Sequence, residues 1–171
     1  PTEKNIMMAC KIHAKGSSYK KALMQLDVGD KIIASQLAGD FVIEEAEDKL
    51  GFIAGGIGIT PFRSQIKDMV DTGKMHDAKL LYCVNEISEL AYEAEFESAI
   101  ARQLPLEMIA VIAKAKENDA ESASAKKHSP LEVSAEQGFI TLEMISRRVP
   151  DFLERTWYIS GPPPMVSAYR R

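Results

Sequence analysis

From Leu50 onward, apolar runs alternate with stretches in which apolar positions recur every three or four residues. The runs LGFIA (50–54), AKLLYCV (78–84), LEMIAVIA (106–113) and TWYIS (156–160) predict strands. The stretches between and after them predict helices over about 61–72, 91–102, 141–148 and 163–170. Strand and helix in strict alternation imply a parallel sheet wrapped by helices, and the near-continuous apolar character of the strands suits a sheet covered on both faces.

Before residue 46 the rhythm differs. The run IMMACKIH (6–13) sets Ile6, Met8, Cys10 and Ile12 on one side and predicts a strand. Gly16-Ser17-Ser18 followed by YKKALMQL predicts a short helix with Ser17 or Ser18 as its cap. KIIASQ (31–36) and DFVIEE (40–45), on either side of Leu37-Ala38-Gly39, predict two further strands. The change of rhythm sets a domain boundary near Ala46 to Lys49, giving a β-rich 1–46 and an α/β 47–171. Lys114 to Gln137, rich in Lys, Glu, Ser and Ala without periodicity, predicts a solvated loop.

Composition narrows the function classes. With 46% hydrophobic and 27% charged residues in 171, the chain can build a sizeable core without staples. A formal charge of -4 argues against a nucleic-acid partner, whose phosphates require dense positive charge. The longest uncharged apolar stretch, Leu50 to Phe62, is interrupted by glycines and a proline and is too short to span a bilayer. Cys10 and Cys83 are widely separated, which excludes a zinc ribbon or a Cys-ligated cluster and suggests buried thiols in a reducing, cytoplasmic setting. His13, His76 and His128 form no ligand pattern and are expected on the surface or in loops, with no metal site. The chain starts at Pro1 without a leader, and both ends read as cut.

Two motifs carry chemistry. Gly55-Gly56-Ile57-Gly58-Ile59-Thr60-Pro61 follows a strand and opens a helix, where glycines let a backbone approach a pyrophosphate and the helix start favours an anion. Ser160-Gly161-Pro162-Pro163-Pro164-Met165 sits at a second strand-to-helix passage on the same, carboxyl-terminal edge of the sheet, where ligands of such folds collect. A tight turn, or helix initiation by proline, accounts for either motif taken alone. Gly56→Val or Gly58→Val is expected to weaken dinucleotide binding while sparing the fold.

GFIAGGIGITPFRSQIKDM, LLYCV and WYISGPPPMV, in this order, resemble the pyridine-nucleotide domain of the ferredoxin-NADP reductase superfamily. GSSYKKALMQLDVGDKIIASQLAGDFVI resembles the later part of that superfamily's antiparallel flavin barrel. The resemblance implies a Rossmann-like NAD(P)-binding domain over 47–171, preceded by part of an FAD-binding barrel. It implies that NAD(P)H passes hydride to FAD, and that electrons then leave for an acceptor protein, a fused domain or a small molecule. Carried over by position, Gly55, Gly56, Gly58, Thr60 and Pro61 would line the dinucleotide. Gly161, Pro162 and Met165 would wall the nicotinamide, and Gly16, Ser17 and Ser18 would meet the flavin pyrophosphate. Thr60 and Ser160 would stand nearest the reacting ring. The sequence departs from the family by having no Arg-x-Tyr-Ser run, by stopping after the last helix, and by placing Ser160 where many members have a cysteine. Without the first of these the stretch is expected to hold flavin poorly by itself, and a non-catalytic nucleotide-binding module is the alternative.

Cofactor preference rests on Asn85-Glu86-Ile87-Ser88-Glu89, after the second strand, where the resemblance places the adenosine ribose. A 2'-phosphate needs a basic partner, and here Glu86 and Glu89 would repel it or accept from free ribose hydroxyls, so NADH is preferred over NADPH. Arg63 or Lys114 folding over the ribose would reverse that preference.

Overall fold

A computed structural model describes residues 2–12, 16–34, 36, 38–39, 41–114, 132–134 and 138–169. Its centre is a parallel sheet of five strands: β1 (Lys49–Gly55), β2 (Asp77–Val84), β3 (Leu106–Ile112), β4 (Glu132–Ser134) and β5 (Thr156–Ser160). They lie in the order β4-β3-β2-β1-β5, every neighbouring pair parallel. The helices are α1 (Ser18–Leu23), α2 (Thr60–Thr72), α3 (Glu93–Ala101), α4 (Leu142–Arg148) and α5 (Pro163–Tyr169).

Strand side chains alternate between two apolar layers, so each strand feeds both. Leu50, Phe52, Leu80, Tyr82 and Met108 face Phe62, Ile66 and Met69 of α2 and Phe96 of α3. Ile53, Leu81, Ile109 and Val111 face Met144 and Ile145 of α4 and, at the edge of the cluster, Met165 and Tyr169 of α5. Phe62, Ile66 and Met69 recur at helical spacing on α2, whose end is set by Gly73 in the left-handed region at φ 73°. On the second face Trp157 lies over Gly51, its partner in register, where a Cβ would come within 2.5 Å of the indole.

The amino edge of the sheet is held by Arg155, whose side chain is 2% exposed. Its guanidinium donates to both carboxylate oxygens of Asp151 at 2.9 and 2.8 Å and to the Asp77 carboxylate at 2.8 Å. It also donates to the carbonyls of Leu50 and Asp77 at 3.1 and 2.9 Å, so one side chain ties the starts of β1, β2 and β5.

The parallel α/β organisation holds, and three local expectations change. The strands expected over 6–13, 31–36 and 40–45 do not form among the described residues, where α1 is the one regular element before β1. A strand needs a neighbour for its backbone groups and a layer for its apolar face. Here Ile6, Met7, Met8, Ile12, Ile32 and Ile33 all stay exposed. Within the expected loop from Lys114 to Gln137, Glu132–Ser134 instead forms β4 beside Ile109–Val111, and residues 115–131 and 135–137 lie outside those described. His76 lies in the loop between α2 and β2, within the expectation, and is buried there, its Nδ1–H donating to the Glu47 carbonyl at 2.6 Å; His13 and His128 are outside the described residues. Cys83 is a buried thiol as expected, whereas Cys10 is only half-buried.

The connector into β1 is packed rather than loose. Phe41 sets its ring 5.6 Å from that of Phe62 and 5.4 Å from that of Tyr158, and its carbonyl accepts from Gln65 Nε2 at 3.2 Å. Ile43 packs onto the first apolar layer.

Candidate functional site

The strand order reverses beside β1: β2, β3 and β4 extend to one side, while the chain returns to place β5 on the other. Helices after β1 and β5 must leave on opposite faces, and a crevice opens between their starts. Both glycine motifs flank this point. Ala54 pairs with Ser160 in register, so Gly55 and Gly161 leave adjacent strands at the same level.

The motifs interlock closely. A Cβ on Gly58 would lie 2.3 Å from the Ser160 carbonyl oxygen and 2.7 Å from Gly161 Cα. One on Gly55 would lie 2.6 Å from Met165 Sδ and 3.0 Å from Pro162 Cδ, and one on Gly161 would lie 2.5 Å from Met165 Cε. Gly56 is different: its φ is +52° and no atom comes within 4 Å of its absent Cβ. The open, left-handed glycine is where a phosphate can approach the backbone, whereas Gly58 is small because backbone meets backbone, and Gly55 and Gly161 because the Met165 side chain lies against them. The expectation that Gly58→Val spares the fold is therefore corrected: the valine would collide with the β5 turn.

After Gly55 the chain takes one 3₁₀ turn, Gly56–Ile59, that runs straight into α2 with Pro61 in its first turn. Thr60 is half-buried at the junction. Opposite, Met165 and Val166 donate to the Pro162 carbonyl at 2.9 and 3.1 Å, which starts α5. Ser160, Gly161 and Met165 are half-buried and Pro162 is exposed. The sequence-predicted Gly55, Gly56, Gly58, Thr60, Pro61, Ser160, Gly161, Pro162 and Met165 thus gather in one crevice.

The rim at the end of β2 has its own electrostatics. Glu89 accepts from the Asn85 backbone N–H at 3.2 Å and pairs with Lys11, whose ammonium holds the Glu89 carboxyl below its ordinary range. Glu86 precedes the short turn Ile87–Glu89 and is half-buried. Lys114 donates its backbone N–H to the Asn85 carbonyl at 3.0 Å, which brings its exposed side chain to the same rim. Arg63 is 11% exposed, grips the Glu3 carboxylate with both terminal nitrogens and stands 5.8 Å over the Tyr92 ring. Tyr92 itself adopts a left-handed backbone at φ 63°.

Gly16, Ser17 and Ser18 are not brought to this crevice by any described contact. Ser17 caps α1, its hydroxyl accepting from the Lys20 N–H at 3.4 Å, and Lys20 Nζ donates to the Lys11 carbonyl at 2.7 Å. Sequence reasoning passed over Tyr158 and Arg155; Glu47 and Val42 for the first, and Asp77 and Leu50 for the second, lie far away along the chain, and the aromatic in TWYIS read only as strand. No helix among the described residues is long and apolar enough to cross a membrane, and no described cluster of His, Cys, Asp or Glu could hold a metal ion.

Comparison with known proteins agrees with this geometry. The chain is 25% identical over 147 residues to the glycine betaine monooxygenase reductase subunit of Chromohalobacter salexigens, covering 85% of this chain and 37% of that protein. It is 27% identical over 152 residues to the toluate 1,2-dioxygenase electron transfer component of Pseudomonas putida, covering 89% of this chain and 40% of that protein. The chain therefore spans about two fifths of the length of these relatives. Among solved structures, the CS-b5R domains of human Ncb5or in the NAD+ form superpose with a TM-score of 0.70 at 20% identity, over 95% of this chain and 43% of that one. The oxidoreductase NAD-binding domain profile matches residues 52–171, from within β1 to the last residue and across both interlocked motifs. The chain thus belongs to the oxidoreductase NAD-binding domain family, the nucleotide-binding part of the ferredoxin-NADP reductase superfamily that its glycine and proline motifs resemble.

Proposed function

We propose that the chain is the nucleotide-binding portion of an NAD(P)H-dependent flavin oxidoreductase that delivers electrons to a separate acceptor protein, with NADH preferred. The observation that carries this reading is the meeting of two interlocked motifs at the strand-order reversal, with Gly56 between them in the left-handed region and nothing within 4 Å of its absent Cβ. The residues present fit a dinucleotide, since Gly56 leaves free the space that any other residue's Cβ would fill. When bound, the nicotinamide supplies the hydride and FAD splits it into single electrons.

The protein's own contribution is placement. Gly56 admits the pyrophosphate to the backbone, and Thr60 and Pro61 fix the helix start beneath it. Ser160, Gly161, Pro162 and Met165 form the wall that orients the nicotinamide and keeps water from it. The resemblance places Gly16, Ser17 and Ser18 near the flavin pyrophosphate. The names of the relatives, reductase and electron transfer components of oxygenase systems, support an acceptor protein as the destination of the electrons.

Gly56→Asn tests the cradle. Asparagine tolerates a left-handed backbone, so the melting temperature should stay near that of the wild type while NADH affinity, measured by isothermal titration, falls about tenfold or more. Unchanged affinity in the folded variant would refute the assignment.

Preference for NADH rests on the rim. Arg63 is engaged by Glu3 and Lys11 by Glu89, and Glu86 lies after β2, where the resemblance places the adenosine ribose and a carboxylate would repel a 2'-phosphate. In the flavin-loaded full-length enzyme, Glu86→Gln should raise kcat/KM for NADPH relative to NADH about tenfold, with Lys114 as the cation then unopposed. A wild-type kcat/KM that is higher for NADPH, and unmoved by the substitution, would overturn the preference.

A further inference from the structure

Tyr158 sits in β5, two residues before Ser160, yet its hydroxyl does not point into the crevice. It lies 2.6 Å from a Glu47 carboxylate oxygen and 2.9 Å from the Val42 carbonyl, and its single proton serves either acceptor. Its ring is packed edge-on between Phe41, at 5.4 Å, and Phe52, at 6.0 Å. Burial and the neighbouring carboxylate both push the phenol pKa well above its ordinary value, so it remains a donor. Around it the connector is tied at four more points: Phe41 against Phe62, the Phe41 carbonyl to Gln65, Ile43 to the apolar layer, and the Glu47 carbonyl to His76. Phe62 and Gln65 belong to α2, His76 immediately precedes β2, and the layer under Ile43 is the first apolar layer of the sheet. Residues 41–47 therefore move with the nucleotide domain, and the strand that presents the nicotinamide wall is the one that grips them.

We propose that Tyr158 is a positioning residue for hydride transfer: its phenol clamps the connector of residues 41–47 to β5 and so fixes the preceding segment relative to the wall formed by Ser160, Gly161, Pro162 and Met165. A rigid tie matters at this place because donor and acceptor rings on different domains react only at near-contact distance, and an offset of about 1 Å costs up to a hundredfold in rate. A flexible connector would leave that distance to chance. The clamp is made by a neutral phenol on a carboxylate, a charge-assisted bond that survives partial exposure better than a neutral pair.

The proposal rests on the functional reading above, and its test separates the two. In the flavin-loaded full-length protein, Tyr158→Phe, which removes the bond to either acceptor, should speed amide exchange in residues 41–47 about tenfold, and Glu47→Leu, which leaves the Val42 carbonyl, should speed it less. Tyr158→Phe should lower kcat about tenfold, and Glu47→Leu by less, while the Kd for NADH stays as in the wild type. The double variant should be no worse than Tyr158→Phe alone, and Glu47→Gln, which keeps an oxygen acceptor without the charge, should lie between Glu47→Leu and the wild type in exchange and kcat. The proposal is overturned if exchange rises while kcat is unchanged, if the two losses multiply, or if the Kd for NADH rises in step with a loss of melting temperature. A wild-type protein inert toward NADH would overturn the functional reading and the positioning role with it, whereas the exchange rates and the coupling between Tyr158 and Glu47 would still report the clamp itself.

Discussion

Arg155→Met should cost about 3 to 5 kcal/mol of stability and lower the melting temperature by roughly 10 °C. The methionine fills a similar volume, so the loss comes from what the guanidinium leaves behind. Five donors are spent on the Asp151 and Asp77 carboxylates and on two backbone carbonyls at the starts of β1 and β2. Removal leaves the carbonyls without that donor and two neighbouring carboxylates facing each other without their cation. Lys49 stands 3.2 Å from Asp151 and offsets only part of this from the surface. Thermal unfolding followed by circular dichroism measures the effect; a fall of less than about 2 °C would show that the cluster is a surface ornament rather than a tie between strands.

The same cluster gives a pH dependence with a definite sign. Arg155, helped by Lys49, holds the Asp151 carboxyl at about 2, below its ordinary 3.8. A group whose folded pKa is depressed stabilises the native state at all pH values above its unfolded pKa, and that contribution is lost as pH falls toward the folded value. Stability from this pair should therefore be complete above about pH 4 and decline between about pH 4 and 2. Asp151→Asn should be less stable at neutral pH and show a shallower acid limb in that window. Parallel acid limbs in the two proteins would remove Asp151 from the explanation.

Gly58→Val is expected to have the second largest effect. Its Cβ would sit 2.3 Å from the Ser160 carbonyl oxygen, a backbone atom of a paired strand that cannot turn aside. Forcing the turns apart should cost about 2 to 3 kcal/mol. It should also separate the two walls of the crevice, so NADH binding should fall below detection in titrations that readily register the Gly56→Asn protein. The contrast between the two glycines is the informative result: one substitution loses affinity with stability kept, the other loses both. A Gly58→Val protein of wild-type stability would mean that the motifs do not interlock as described.

Much of the nucleotide domain was legible in the chain. The strands over 50–54, 78–84 and 156–160 are found within a residue or two, because buried parallel strands read as continuous apolar runs whatever their neighbours are. Helix α2 was marked at its start by Pro61, and the structure adds Gly73 as its left-handed end. The first 46 residues show the limit of that reasoning. Ile6, Met8 and Ile12 alternate as a strand would, but a strand is completed by a partner and an apolar layer, and neither is supplied by the described residues. β4 failed in the other direction: Glu132–Ser134 carries no strand signal of its own and forms because the exposed edge of β3 offers it a ladder.

What the sequence determined by itself is the set of local choices: which runs are strands, where α2 begins and ends, and that two glycine-bearing turns lie at the carboxyl ends of strands. Those choices depend on neighbours a few residues away. Tertiary structure decided which strand lies beside which, and with it everything specific to the site. Only when β5 returns beside β1 do Gly58 and Ser160 meet, so that one glycine becomes a packing requirement and Gly56 alone remains an open cradle. Only then does Tyr158 reach Glu47, and Arg155 reach Asp77, across more than a hundred residues and across seventy-eight. Backbone proximity between distant segments is a property of the sheet's strand order, which is set by how all the apolar faces are covered together and not by any one segment of the chain.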